Sequence, residues 1–178
     1  MIGLDLVDCQ GARDGFGLKL NMTPEDFRKV CSRFATGVAI LTVSDTAGFP
    51  HGLTVNSFTS VSVEPPLVLV CIGETCASLP HFQSASHFGL SFLAEDQQDL
   101  STRFAFVPER RFDGVDWRPT VLGVPMINGA IASMECHTET RMKAGDHTIL
   151  IGEVLGAELY SDARPLLYFG SGYRKLDR

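Results

Sequence analysis

The residues of this sequence best suited to bind a small molecule lie in a charge-free segment from Gly52 to Val63. Its residues alternate as in a β-strand, which predicts that Thr54, Asn56, Ser60 and Ser62 share one face. The apolar residues expected to face the core are Leu53, Val55, Val61 and Val63. Short hydroxyls and an amide donate and accept hydrogen bonds without filling space. The segment therefore favours a flat, neutral ligand lying against a sheet, although a Ser/Thr-rich strand that merely lacks charge has the same pattern.

Two other segments carry groups that could hold an anion. The sequence has neither a Gly-x-Gly-x-x-Gly turn nor a phosphate loop ending in Gly-Lys-Ser/Thr, so a nucleotide would need hydroxyls, backbone amides and a few basic side chains. Thr75 and Ser78 precede a predicted helix, whose free N–H groups favour an anion. Ser101 and Arg103 lie near the end of a second predicted helix. The alternatives are helix capping for Thr75 and Ser78, and a solvated helix-end cation for Arg103.

Histidine offers a further functional group at His147, in the predicted hairpin turn Gly145-Asp146-His147. An imidazole can donate to a carboxamide or a phosphate, although a histidine in a turn is more often simply exposed. The other histidines show no metal-ligand spacing among themselves, and Cys136 and His137 would point to opposite faces of a strand. We therefore expect no metal site, and no Ser/His/Asp or Cys/His catalytic arrangement stands out.

Composition and charge exclude several classes of protein. The 178 residues are 44% hydrophobic and 20% charged, as in one ordinary globular domain. A formal net charge of -6 argues against nucleic acid as a partner. Five cysteines without paired spacing, the lack of an export signal and the lack of a membrane-spanning apolar run predict a cytoplasmic protein that does not enter a membrane.

The predicted elements form a domain over residues 21–178 that follows an N-terminal arm or tail, residues 1–20. A helix begins with Thr23 as N-cap and Pro24 at its first position, and carries an apolar stripe from Phe27 to Ala35. The strand 38–43 and the charge-free segment should form a hairpin, and Gly152 and Gly156 could bend the long strand 147–159. About seven strands and three short helices without βαβ alternation predict a mainly β protein, a small Greek-key-like antiparallel barrel.

Eight short motifs in this order resemble the short-chain NAD(P)H:flavin oxidoreductases, the reductase components of two-component flavin monooxygenases. The resemblance extends from Phe27 to about Arg174. The motifs are Phe34-Ala35-Thr36-Gly37-Val38, the segment from Gly52 to Phe58, Ser60-Val61-Ser62, Pro65-Pro66-Leu67-Val68, Phe92-Leu93, Arg103-Phe104-Ala105, Gly145-Asp146-His147 and Pro165-Leu166-Leu167-Tyr168.

This resemblance implies an FMN-binding split β-barrel that reduces FMN or FAD with NADH or NADPH. It implies a homodimer with the flavin near the interface, and a separate monooxygenase that receives the reduced flavin. His147 would lie by the nicotinamide. The cofactor-binding residues implied are Thr54, Val55, Asn56 and Ser57 for the isoalloxazine and ribityl, with Cys71, Thr75, Ser78, Ser101, Arg103 and Phe104 towards the phosphate. Two rival functions remain: a flavin- or haem-binding protein without turnover, and an oxidase of the pyridoxamine-phosphate type.

Overall fold

The computed structural model describes residues 21–176, so the predicted arm over residues 1–20 lies outside the described residues. No helix within this range is long and apolar enough to cross a membrane. The helices are α1 (Pro24–Cys31), α2 (Leu79–Ser84) and α3 (Gln98–Phe106). The strands are β1 (Thr36–Gly37), β2 (Ala39–Ser44), β3 (Pro50–Val55), β4 (Thr59–Val63), β5 (Pro66–Gly73), β6 (His87–Phe92), β7 (Trp117–Pro119), β8 (Pro125–Ile127), β9 (Ala132–Ala144), β10 (His147–Leu159), β11 (Leu167–Phe169) and β12 (Gly172–Arg174).

Seven of these strands form one antiparallel sheet in the order β3-β2-β6-β9-β10-β5-β4. The two edge strands, β3 and β4, are consecutive in the chain, and β3 comes into contact with β5 near the other edge. The sheet therefore curls until its edges meet, which confirms the predicted mainly β antiparallel barrel with a few short helices.

Strand β2 is buried on both faces, which explains its continuous apolar sequence. Leu41 and Val43 belong to the core inside the barrel, together with Phe88 of β6. Ile40 instead packs outside the barrel wall in a second core that includes Phe104 of α3. The helix α3 is thereby held against the outer face of β2 and β3.

The two longest strands, β9 and β10, confirm the predicted hairpin and its bends. Their pairing shifts register at Gly152 and again before Gly156. A Cβ on residue 152 would lie 2.5 Å from Cζ of Phe88, because the buried ring of this β6 residue packs directly against Gly152. The absence of a side chain at Gly152 is therefore a packing requirement as well as a way to bend the strand.

The prediction that Gly52 to Val63 form one strand is wrong. β3 ends at Val55 and β4 begins at Thr59 on the opposite edge of the sheet. Val61 and Val63 were expected to face the core, but their exposed fractions are 47% and 92%. A bulge between Ser60 and Ser62 breaks the alternation along β4, which is an edge strand paired only with β5.

Helix α1 confirms its predicted start but not its predicted length. Thr23 and Asp26 form a reciprocal capping box, with Pro24 at the first helical turn. The helix ends at Cys31, short of Ala35, and none of its residues is buried. The apolar stripe is exposed to solvent, with Phe27 58% exposed.

The C-terminal segment forms a short hairpin. β11 and β12 pair around a turn in which both Gly170 and Ser171 have positive φ. β11 also pairs with β1, and the rings of Tyr168 and Tyr173 meet edge to face at 5.5 Å. This hairpin places both tyrosines beside the end of β3, where they line a pocket.

Candidate functional site

A pocket of about 380 Å³ lies outside the barrel wall, where β3 ends. Its principal lining residues are Thr54, Val55 and Asn56 of the β3 end, Ser101 of α3, and Tyr168 and Tyr173 of the C-terminal hairpin. We call it the seam pocket, because it borders the connection through which the chain passes from the edge strand β3 to the edge strand β4. Its size is that of a small-molecule site.

Hydrogen bonds tie the three elements around the seam pocket together. The Thr54 hydroxyl donates to the carbonyl oxygen of Ser101 at 2.6 Å. The Ser101 side chain is fully buried and shares a 2.8 Å hydrogen bond with the Tyr173 hydroxyl. Val55 packs its side chain into the barrel core, so it can offer a ligand only its backbone. The predicted residues Thr54, Val55, Asn56 and Ser101 thus come together in one place.

Ser57 ties the connection between β3 and β4 to strand β5. Its hydroxyl donates to the carbonyl oxygen of Cys71 at 3.1 Å and accepts from the Cys71 N–H at 2.9 Å. Burial raises the pKa of the Cys71 thiol above its usual range, so the sulfur stays protonated at neutral pH. Ser57 and Cys71 are therefore neighbours, as their joint assignment to one cofactor requires.

A second pocket, of about 390 Å³, lies further along the same face of β3. We call it the arginine pocket, because Arg110 and Arg111 line it together with Gly52 and Ser78. The guanidinium of Arg111 donates to the Gly52 carbonyl oxygen at 2.6 Å and to the Ser78 hydroxyl at 2.9 Å. The buried Ser78 side chain makes no helix-capping bond, so the capping interpretation does not hold for it.

Arg103 and Phe104 lie behind these pockets. Arg103 donates to the backbone carbonyl oxygens of Arg110, Arg111 and Asp113, and so holds the loop that presents Arg111. Phe104 is fully buried beneath β3, where a Cβ on Gly52 would lie 3.0 Å from its ring. The solvated-cation interpretation of Arg103 is therefore wrong, because its guanidinium bonds to the protein. A direct role for either residue in holding a cofactor stays a prediction.

Thr75 and His147 lie at the end of the barrel where the last residue of β5 pairs with the first residue of β10. Thr75 is exposed in the turn that follows β5. His147 is opposite Gly73, and a Cβ on Gly73 would come within 3.8 Å of its Nε2. The Nδ1 of His147 lies 2.8 Å from an Asp146 carboxylate oxygen, and this hydrogen bond lowers the pKa of Asp146. The imidazole is half-exposed and held in one orientation by an ionised carboxylate.

The chain matches the family model described as flavin reductase like domain over residues 31–177. The chain belongs to this family. The match covers the whole barrel from the end of α1 onward, and it includes both pockets. It confirms the resemblance that the short motifs indicated.

Relatives in this family are similar over most of the chain. The FMN reductase (NADH) SmoA of Agrobacterium fabrum is 42% identical over 85% of this chain and 86% of its own length. The actinorhodin polyketide dimerase of Streptomyces coelicolor is 43% identical over 79% of this chain and 80% of its own. The HsaB reductase subunit of a flavin-dependent monooxygenase from Rhodococcus jostii is 36% identical over 86% of this chain and 78% of its own. The chain spans about half, 48%, of a longer relative from Rhizobium meliloti.

A solved structure confirms the fold class as the split barrel of flavin reductases. The NADH:FAD oxidoreductase SgcE6 of Streptomyces globisporus, solved in complex with NAD and FAD fragments, superposes with a TM-score of 0.82. The two chains are 36% identical, and the superposition covers 89% of this chain and 98% of that one.

Three flavin-reductase site candidates were missed by sequence reasoning: Tyr168, Tyr173 and Arg111. Of the three, only Tyr168 lies within a motif that the sequence singles out. No local signal assigns them, because each reaches its pocket from an element distant in the chain. Tyr173 is identified by its hydrogen bond with Ser101, and Arg111 by its hydrogen bond with Ser78. Both contacts form only on folding.

Proposed function

We propose that this protein is an NADH-dependent flavin reductase that supplies reduced FMN or FAD to a separate monooxygenase. The observation that carries the proposal is the uncharged seam pocket, in a chain of the flavin reductase family. A bound flavin supplies the redox chemistry by accepting a hydride at N5 from the nicotinamide C4. The protein must orient the two rings and stabilise the charge that develops at the flavin N1–C2=O edge.

We place the flavin ring in the seam pocket, against Thr54 and Asn56. Because the Thr54 hydroxyl gives its hydrogen to Ser101, it presents lone pairs to a ligand and suits the flavin N3–H. The Asn56 amide is exposed and offers both donors and acceptors. The connection at residues 56–58 lies between two strands that do not pair with each other, so its backbone N–H groups are free of the sheet ladder.

The flavin phosphate would then occupy the arginine pocket. Gly52 and Thr54 are two positions apart on β3, so the two pockets border the same strand face roughly 7 Å apart. A ribityl chain can span that separation. Arg111 and Ser78 supply a guanidinium and a hydroxyl, the groups that bind phosphate well. In this arrangement Arg103 positions the Arg111 loop.

His147 would orient the nicotinamide. Cys71, which contacts Ser57, and Gly73, which faces His147, are two positions apart on β5, or roughly 7 Å. The imidazole is therefore at the end of the barrel where a second ring could stack on the flavin. In the tautomer whose Nδ1–H donates to Asp146, Nε2 is an acceptor for the carboxamide N–H.

A homodimer and a cytoplasmic location complete the proposal. The exposed apolar residues of α1 and its C-terminal turn, Phe27, Val30 and Phe34, would be covered by a second subunit. The described cysteines, Cys31, Cys71, Cys76 and Cys136, form no disulfide with one another, as in a reducing compartment. The HsaB relative supports a monooxygenase as the acceptor of reduced flavin.

The deciding experiment mixes the purified protein with NADH or NADPH and with FMN, FAD or riboflavin, and follows the reduced-nicotinamide absorbance. Flavin-dependent consumption of NADH is expected. If flavin binds without any consumption, the protein is a flavin carrier and not a reductase. If no flavin binds and none is reduced, the proposal fails.

A variant test addresses the role of His147. His147→Ala should lower kcat/KM for NADH by about tenfold, since it removes one positioning hydrogen bond, and leave flavin binding unchanged. The matched control is His137→Ala, a histidine whose side chain is similarly exposed on β9. Equal losses in NADH use and flavin binding would mean that His147 only supports the fold.

A further inference from the structure

Three metal-binding side chains converge at the turn end of the β2–β3 hairpin. Asp45 lies in the hairpin turn, His51 is on β3 and His81 is on α2. Their ligand atoms all lie within 4.8 Å of one another. The side chains are partly sheltered, with Asp45 24% and His51 27% exposed. The three come from separate elements, so the cluster exists only because α2 packs beside this hairpin.

The Asp45 carboxylate is held in a fixed orientation. One of its oxygens, Oδ1, accepts hydrogen bonds from the N–H groups of Ala47 and Phe49, both at 2.9 Å. The other, Oδ2, lies 2.9 Å from Nε2 of His51. Carboxylate ligands in metal sites are oriented by hydrogen bonds of this kind. Backbone donors bind one oxygen, and the other oxygen is directed towards the metal.

The two imidazoles are stacked, with ring centroids 3.5 Å apart and planes inclined by 12°. Parallel rings cannot both aim their in-plane lone pairs at one ion. Ion binding therefore requires one ring, His51 or His81, to rotate out of the stack.

We propose that Asp45, His51 and His81 form a binding site for a divalent transition metal ion of the Zn²⁺ and Co²⁺ class. One carboxylate oxygen and two imidazole nitrogens are ligands these ions accept, at roughly 2.0–2.2 Å. Such bonds place the donor atoms roughly 3.4 Å apart. Separations of up to 4.8 Å would therefore shorten by up to about 1.4 Å, together with the rotation of one ring. The remaining coordination positions would face the arginine pocket, which His51 and His81 also line.

The neighbouring arginines do not occupy this site. Arg111 is engaged by the Gly52 carbonyl oxygen and Ser78, and Arg110 forms an ion pair with Asp113 at 2.6 Å. The carboxylate of Asp45 offsets one of the two charges of the ion. Separations of 6 and 30 residues along the chain match no local metal motif, which is why the sequence predicted none.

The test is a metal titration of the untagged, chelator-treated protein with Co²⁺, followed by visible absorption and then displacement with Zn²⁺. One equivalent of Co²⁺ should bind and give ligand-field bands. His81→Ala should weaken binding by at least about tenfold, as loss of a ligand does. His137→Ala, which removes a histidine near His87 instead, should bind Co²⁺ like the unchanged protein.

Circular dichroism checks that His81→Ala is folded, and the NMR signals of the histidine rings give a readout that needs no variant. One equivalent of Zn²⁺ should shift the ring signals of His51 and His81, because their stack is broken. The proposal is overturned if Co²⁺ does not bind, if His81→Ala binds it equally, or if the shifted signals are those of His87 and His137. None of these readouts depends on flavin reduction.

Discussion

Replacing Arg111 by alanine tests whether the arginine pocket holds the flavin phosphate. In the free protein its guanidinium already donates to the Gly52 carbonyl oxygen and to Ser78, so it is pre-oriented towards the pocket. A hydrogen bond from a charged donor contributes about 1.5–3 kcal/mol. Arg111→Ala should therefore raise the Kd for FMN by about 10- to 150-fold. Riboflavin carries no phosphate, so the loss of this contact should not raise its Kd.

The assay is a titration of flavin fluorescence with FMN and with riboflavin, for the unchanged protein and the variant. The ratio of the two Kd changes isolates the phosphate contact from any distortion of the loop. Arg110→Ala is the matched control, because Arg110 is 82% exposed and paired with Asp113. If FMN and riboflavin weaken by the same factor, Arg111 only shapes the loop, and the phosphate lies elsewhere.

Three further predictions follow from the packing. Thr54→Val keeps the shape of the side chain but removes the hydroxyl that bonds to α3, so flavin affinity in the same titration should fall about fivefold, the equivalent of about 1 kcal/mol. Gly152→Ala should lower the free energy of unfolding in urea by about 1–3 kcal/mol through overpacking. Gly156→Ala, whose Cβ would meet nothing within 4 Å, should change it by less than about 0.5 kcal/mol. Burial raises the pKa of Cys136 to about 12, so alkylation near neutral pH should label the exposed Cys31 and spare Cys136 until the protein unfolds, as mass spectrometry can show.

The barrel strands were predictable because their apolar patterns are strong. The strand from His147 to Leu159 was placed correctly because a Gly-Asp turn precedes it and β-branched residues fill its first half. The break between β3 and β4 was not predictable. Residues 56–58 contain neither glycine nor proline, and the turn formers Asn56 and Ser57 fit the alternation of a strand equally well. Only the pairing of β3 with β2 and of β4 with β5 separates them.

Part of the site was predictable for the same reason. Thr54 and Asn56 stand out because a polar, charge-free row is visible in the sequence, and both line the seam pocket. Tyr173 and Arg111 carry no such signal. Their positions depend on the C-terminal hairpin and on the loop held by Arg103, neither of which alternation or helix signals describe.

The break in the charge-free segment is what makes that segment suitable for a ligand. In a continuous edge strand, about half of the N–H and C=O groups of residues 56–58 would be used in pairing with the neighbouring strand. Here the chain crosses from one sheet edge to the other, and Ser57 anchors the crossing through the backbone of Cys71. The backbone at the crossing is thus held in place without being paired in the sheet. The backbone N–H groups of residues 56–58 remain free to donate, and they lie beside the Thr54 hydroxyl. They can hydrogen-bond the edge of a flat heteroaromatic ring better than the face of a strand could.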